Sequence, residues 1–185
     1  KLVPHRVCGL VVKVIHNPES NMKLASGIAP AHKMISAGIP VGIGTDGCAS
    51  NNDLDLFKEM DSAAKLQKIK KMDTTVMDAA TVLRMATVGG ANALGMEGIT
   101  GSIEVGKRAD IIVLDINKPH LTPIYNPFSL LVYSAKGSDV VHSIIDGRLV
   151  MSERRLLTID LDDVLKKAAA LSENFKYYST SSICQ

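Results

Sequence analysis

The sequence predicts an α/β protein, and three observations predict it. Short β-branched runs at 10–15 (LVVKVI) and 39–43 (IPVGI) flank a helical stretch at 29–37 (APAHKMISA). Strand, loop, helix and strand thus follow one another within about thirty-five residues, the length of a βαβ unit with parallel strands. Long stretches beyond residue 53 carry apolar residues at spacings of three and four, which is helical spacing. An Asp146-Gly147 pair between two apolar runs then marks a β-hairpin.

Each element has a local cause. The run 10–15 is interrupted only by Lys13 and reads as a strand buried on both faces. His16-Asn17-Pro18-Glu19-Ser20-Asn21 reads as a polar loop in which Pro18 stops the strand. Pro30 is tolerated in the first turn of the helix over 29–37, and Gly38 is its C-terminal cap. Residues 53–71 predict a helix with Leu56, Met60, Ala63, Ala64 and Gln67 on one face and Asp53 and Asp55 at its positive end. Residues 75–87 predict another, ended by Gly89-Gly90, and 91–95 a last turn closed by Gly95.

The composition then changes. Gly98, Gly101 and Gly106 break the chain into short pieces, 109–115 (ADIIVLD) reads as a strand, and 140–151 as the two strands of the hairpin. The proline-rich KPHLTPIYNP between them reads as loop. Residues 160–175 predict a closing helix with Asp160 as N-cap and Leu161, Val164, Leu165, Ala168 and Leu171 on one face, followed by a frayed polar tail. Three units follow: an α/β unit over 1–97, a β-rich unit over 98–160, and a C-terminal helix and tail over 161–185.

Composition narrows the function classes. Of the 185 residues, 46% are hydrophobic and 22% charged, the profile of a globular protein and not of a disordered or fibrous one. A net charge of +2, with four Tyr, three Phe and no Trp, offers neither a basic surface nor stacking platforms for nucleic acid. No apolar stretch reaches the ~20 residues that cross a bilayer, and the basic-then-apolar start lacks a small-residue cleavage site, so no membrane partner and no signal peptide are expected. Cys8, Cys48 and Cys184 form no CxxC pair, which favours a reduced, cytoplasmic setting.

Two residues stand where parallel α/β folds place their chemistry, at the carboxyl ends of strands. Asp46, in VGIGTDG, follows the strand over 39–43, and Gly44 and Gly47 permit a tight turn and the close approach of a ligand. Its carboxylate can bind a metal or act as a base; as an Asp-Gly pair it can equally be a turn that caps the next helix. His16 ends the other strand, as a ligand, a proton carrier or a substrate contact, or simply as an imidazole bonded to loop backbone. SNMKLASGIAP (20–30) and Ala49-Ser50-Asn51-Asn52 are rich in hydrogen-bonding groups that can line a pocket or bond their own backbone, Asn51 or Asn52 capping the helix from 53. Cys48 lacks a sequence-adjacent base. His32 reads as exposed and His142 as structural, and GMEGITGS fits neither a P-loop nor a dinucleotide fingerprint.

Three stretches, HNPESNMKLASGIAP at 16–30, GIGTDGCASNNDLDLFKEM at 42–60 and TGSIEVGKRADIIVLD at 100–115, resemble the metal-dependent amidohydrolase superfamily, and within it the 5-methylthioadenosine/S-adenosylhomocysteine deaminase group. The resemblance runs from about residue 11 to about 170 and is to the C-terminal portion of the family pattern only. It implies the last strands and helices of a (β/α)8 TIM barrel over 1–97 and strands of a composite β-sandwich over 98–160. It implies a divalent metal, Zn2+, with Asp46 as metal ligand, catalytic group and substrate contact, and His16 at most in a supporting place behind the ligands.

The reaction implied is hydrolytic loss of the 6-amino group of a purine nucleoside as ammonia, by an enzyme that can be a homo-oligomer. The other readings are a catalytically inactive truncated amidohydrolase, or an aminohydrolase or chlorohydrolase acting on guanine, cytosine or triazines. The family's HxH pair, its further histidines and its proton-transfer glutamate have no counterpart among these residues, so the chain alone is expected to be inactive.

Overall fold

The computed structural model describes residues 6–7 and 10–181. His5, Cys8, Cys184 and the end of the expected tail lie outside them. The run expected as one strand divides in two. β1 (Arg6–Val7) pairs antiparallel with β2 (Leu10–Val11), whereas β3 (Val14–His16) pairs parallel with β4 (Val41–Ile43) in the register His16↔Ile43. Between β3 and β4 lie α1 (Pro18–Lys23) and α2 (Ala31–Ser36), so the predicted βαβ unit is present. α1 replaces the loop expected there. Pro18 does not merely stop β3: it occupies the first turn of α1, where its missing N–H costs nothing. α2 ends as expected on Gly38, at φ +79°, with the amides of Gly38 and Ile39 bonded back to Ile35 and Met34.

After β4 come α3 (Cys48–Asn51), α4 (Leu56–Lys71), α5 (Ala79–Ala86) and α6 (Val88–Leu94). α4 starts later than 53 because Asp55 is its N-cap, its side chain accepting from the Phe57 amide at 2.9 Å. α5 likewise starts after Asp78, which accepts from the Thr81 amide at 2.7 Å. Phe57, Met60, Ala63, Ala64, Met77, Val82 and Met85 close the core over Val41 and Ile43.

Gly89 and Gly90 do not end a helix; they lie inside α6. A Cβ on Gly89 would stand 2.9 Å from the carbonyl oxygens of Arg84 and Val41, and one on Gly42 would stand 2.9 Å from Gly90 Cα. The glycines thus set how closely α6 approaches β4. Gly89→Ala is expected to cost about 1–3 kcal/mol in denaturant unfolding. Gly98→Ala is the control, since a Cβ there meets nothing within 4 Å among the described residues.

The C-terminal unit is one antiparallel sheet in the order β5 (Ile111–Leu114), β6 (Val140–Ile145), β7 (Arg148–Ser152), β8 (Arg155–Leu156). The hairpin turns as predicted, Asp146 at φ +51° and Gly147 at φ +74°. The segment expected as loop holds a 3-10 turn (Pro119–Leu121) and α7 (Pro127–Tyr133), which starts on a proline and is capped by Asn126 accepting from the Ser129 amide at 3.0 Å. α8 (Leu161–Ser181) continues past 175. The apolar face expected for it is exposed: Leu161, Val164, Leu165 and Leu171 all face solvent.

These observations correct the fold expectation. The strands fall into three separate sheets, and only β3 and β4 pair in parallel among the described residues. The β-rich unit is a single four-stranded sheet among those residues. The architecture is a mixed α/β fold running through almost the whole chain, and not a barrel end with sandwich strands attached.

Candidate functional site

The turn after β4 is built around a left-handed aspartate. Asp46 itself has φ +62°, whereas Gly47 has an ordinary φ of −79° and serves as N-cap of α3. A non-glycine residue in that region is strained and persists only where its surroundings fix it. Three contacts do so. Ser20 Oγ, from α1, donates to Asp46 Oδ2 at 2.7 Å. The Gly47 amide donates to Asp46 Oδ1 at 2.8 Å. Asn51 Nδ2, from α3, donates to the Thr45 carbonyl at 2.7 Å. Gly44 has its own reason to lack a side chain: a Cβ there would lie 2.7 Å from Asn17 Oδ1.

The electrostatics favour an ionised, accessible carboxylate. The Ser20 hydroxyl first, then the Gly47 amide, hold Asp46 below the usual carboxylate range. His16 sits at the other strand end and is only 3% exposed. Neither of its ring nitrogens has a hydrogen-bond partner among the described residues. Burial lowers its pKa and so disfavours the imidazolium. The two strand ends are joined through backbone, the Gly44 amide donating to the His16 carbonyl at 3.0 Å.

The structure also brings together the two polar stretches noted in the sequence. Lys23 Nζ, at the end of α1, donates to the Ala49 carbonyl at 2.8 Å and to Asn52 Oδ1, tying SNMKLASGIAP to ASNN. Asn51 and Asn52 do not cap α4; Asn52 is the left-handed C-cap of α3. Cys48 is exposed. His32 is half-buried against Gln67 Oε1 at 2.8 Å, not exposed, and His142 lies 3.1 Å from the Glu153 carboxylate within the sheet. A cavity of about 400 Å³, lined by Asp53, Asp55, Lys58, Tyr133 and others, includes neither Asp46 nor His16.

The sequence reading missed Glu59. It is 1% exposed, accepts from Asn51 Nδ2 at Oε1 and from the Glu19 amide at Oε2, 3.1 Å away. Its signal was present: position 59 lies three residues after Leu56 and four before Ala63, on the apolar face of α4, and an acid there needs a partner.

The metal expectation is corrected here. Among the described residues, no three His, Cys, Asp or Glu side chains come together to hold a metal ion. Asp46 has its two oxygens engaged by Ser20 and Gly47, and one carboxylate does not supply the three or so protein ligands of a catalytic zinc. The donor set present therefore does not fit Zn2+, and no chemistry is routed through one.

Comparison with known proteins adds the family. The amidohydrolase family model matches residues 2–150. A 5-methylthioadenosine/S-adenosylhomocysteine deaminase of Syntrophobacter fumaroxidans is 59% identical over 89% of this chain and 38% of its own length. A 5'-deoxyadenosine deaminase of Methanosarcina acetivorans is 54% identical over 88% of this chain and 37% of its own. The crystal structure of an adenosine deaminase from Xanthomonas campestris, with bound zinc, superposes with a TM-score of 0.87 at 43% identity, covering 89% of this chain and 38% of that one.

The chain thus spans a little over a third of the length of these relatives. The resemblance does not begin at residue 11, nor is it confined to one end: the family match takes in residues 2–10 and runs on through both the α/β and the β-rich units. On that match, which covers most of its length, the chain belongs to the amidohydrolase family.

Proposed function

We propose that the protein is a hydrolytic deaminase of adenine nucleosides altered at the 5' position, with Asp46 as its proton acceptor. The observation that carries this reading is the Asp46 turn: an exposed carboxylate at a strand's carboxyl end, fixed by Ser20 and Gly47 and held ionised. Water adds to the purine carbon bearing the amino group as Asp46 takes one of its protons. That proton passes to the amino nitrogen, the C–N bond breaks, and ammonia leaves with the new C–O bond in place. His16, buried at the neighbouring strand end, supports the same strand-end face.

The substrate class rests on the relatives, whose names share an adenosine unit with a thioether-bearing or deoxygenated 5' carbon. The test is ammonia release by the full-length protein that carries these residues, the chain by itself being expected to be inactive, from 5-methylthioadenosine, S-adenosylhomocysteine, 5'-deoxyadenosine, guanine and a chlorotriazine. Turnover of the three adenine nucleosides, with guanine and triazine untouched, is expected. Turnover of guanine or triazine alone would overturn the substrate class.

A further inference from the structure

We infer that Glu59 is a positioning residue for Asp46, holding from α4 both arms of the clamp that fixes that carboxylate. One arm runs through α1. Glu59 Oε2 accepts the Glu19 amide at 3.1 Å, and the next residue, Ser20, is the one that donates to Asp46 Oδ2. The other arm runs through α3. Glu59 Oε1 accepts Asn51 Nδ2, and the same nitrogen donates to the carbonyl of Thr45, the residue before Asp46. One buried carboxylate thus bonds to both elements that hold the left-handed turn.

The chemistry needs a carboxylate and not an amide. Both partners of Glu59 are donors, and a carboxylate offers two acceptors. A glutamine offers one, so whichever way it lies, its NH2 faces a donor. Glu59 is also an acid placed on the buried face of a helix, which desolvation disfavours. Packing alone does not account for it, since Met60, Ala63 and Ala64 on the same face are apolar. Its other charged neighbours, Glu19 and Lys58, face each other across 3.5 Å and leave Asp46 untouched.

This inference rests on the reading of Asp46 as proton acceptor, and its test separates the two. The first readout needs no activity: the amide signal and hydrogen exchange of Gly47, whose N–H donates to Asp46 Oδ1. Glu59→Gln should displace the Gly47 resonance and speed its exchange about tenfold. The second readout is turnover: kcat should fall about tenfold with KM nearly unchanged, since the loss is of orientation and not of binding.

The double variant Glu59→Gln/Asn51→Asp then restores the pairing between these two positions, with the amide now on α4 donating and the carboxylate now on α3 accepting. It leaves the Thr45 carbonyl without a donor. For a positioning residue, the double variant regains thermal stability while the Gly47 signal and kcat stay displaced. Glu59→Gln with an unmoved Gly47 signal and wild-type kcat would overturn the inference, as would full recovery of both in the double variant. A wild-type protein without turnover, but with the expected Gly47 displacement in Glu59→Gln, would leave the clamp standing and remove the deaminase reading.

Discussion

Asp46→Asn is expected to lower kcat by about two to four orders of magnitude, the usual worth of a positioned general base. The substitution is nearly isosteric, and the turn should survive it. Asparagine tolerates the left-handed region as well as aspartate does, and its carbonyl can still accept one of the two hydrogen bonds from Ser20 and Gly47. What is lost is the group that takes a proton. Unfolding midpoints close to wild type, measured beside turnover, would place the loss in chemistry and not in folding.

The pH profile carries the same argument with its sign. Asp46 must be ionised to accept a proton, and its partners hold it below the ordinary carboxylate range. Activity should therefore persist to lower pH than a free aspartate would allow, then fall as the solution acidifies through that depressed value. Ser20→Ala removes the first cause of the depression and should move the acid limb upward. Near-wild-type turnover in Asp46→Asn would sink the assigned role.

The sequence shows where chemistry stands more readily than what holds it in place. Asp46 and His16 were visible because β-branched runs end at them, and strand ends are where parallel α/β folds expose side chains. The strain at Asp46 was not visible. Flanking glycines suggested that they supplied the turn, whereas the structure puts the positive φ on the aspartate. Gly89-Gly90 misled for a related reason. Glycine has two uses, ending a helix and letting backbones approach, and only the neighbouring β4 decides between them.

Pro18 had the same double meaning, breaker or first-turn residue, settled by the helix that follows it. The clamp itself is long-range. Glu59 reaches residues 19 and 51, and no local pattern announces such pairs. The Zn2+ expectation came from the resemblance; the strand-end positions of Asp46 and His16 offered too few ligands by themselves, and the described residues assemble no such group.

The second large effect is on stability, at Asp139. This residue is 1% exposed, and its side chain accepts three hydrogen bonds, from Lys118 Nζ at 2.9 Å, from the Lys136 amide at 2.9 Å, and in its pairing with His120 Nε2 at 3.0 Å. Burial alone would raise its pKa. The bonds from His120, Lys118 and the Lys136 amide, with the Lys118 charge, outweigh burial and bring it to about 2.

Asp139→Ala should cost about 3 kcal/mol in denaturant unfolding, toward the lower end for a broken buried pair because Lys118 and His120 are partly exposed and can turn to water. The folded pKa lies below the ordinary value of 3.8, so this contribution is complete above the ordinary value and is lost as pH falls toward 2. Wild type should therefore lose stability in that acid window, and Asp139→Ala should lose less.

The effect should also reach the site, because Asp139 closes the turn at 136–139. In that turn the Gly137 amide donates to Asp55 Oδ2 at 2.9 Å, and Asp55 caps the helix that carries Glu59. Faster amide exchange in the first turn of α4 is expected in the variant, at Phe57 before Met60. Unchanged exchange there, with the stability loss intact, would show that the sheet and the Asp46 clamp are held independently.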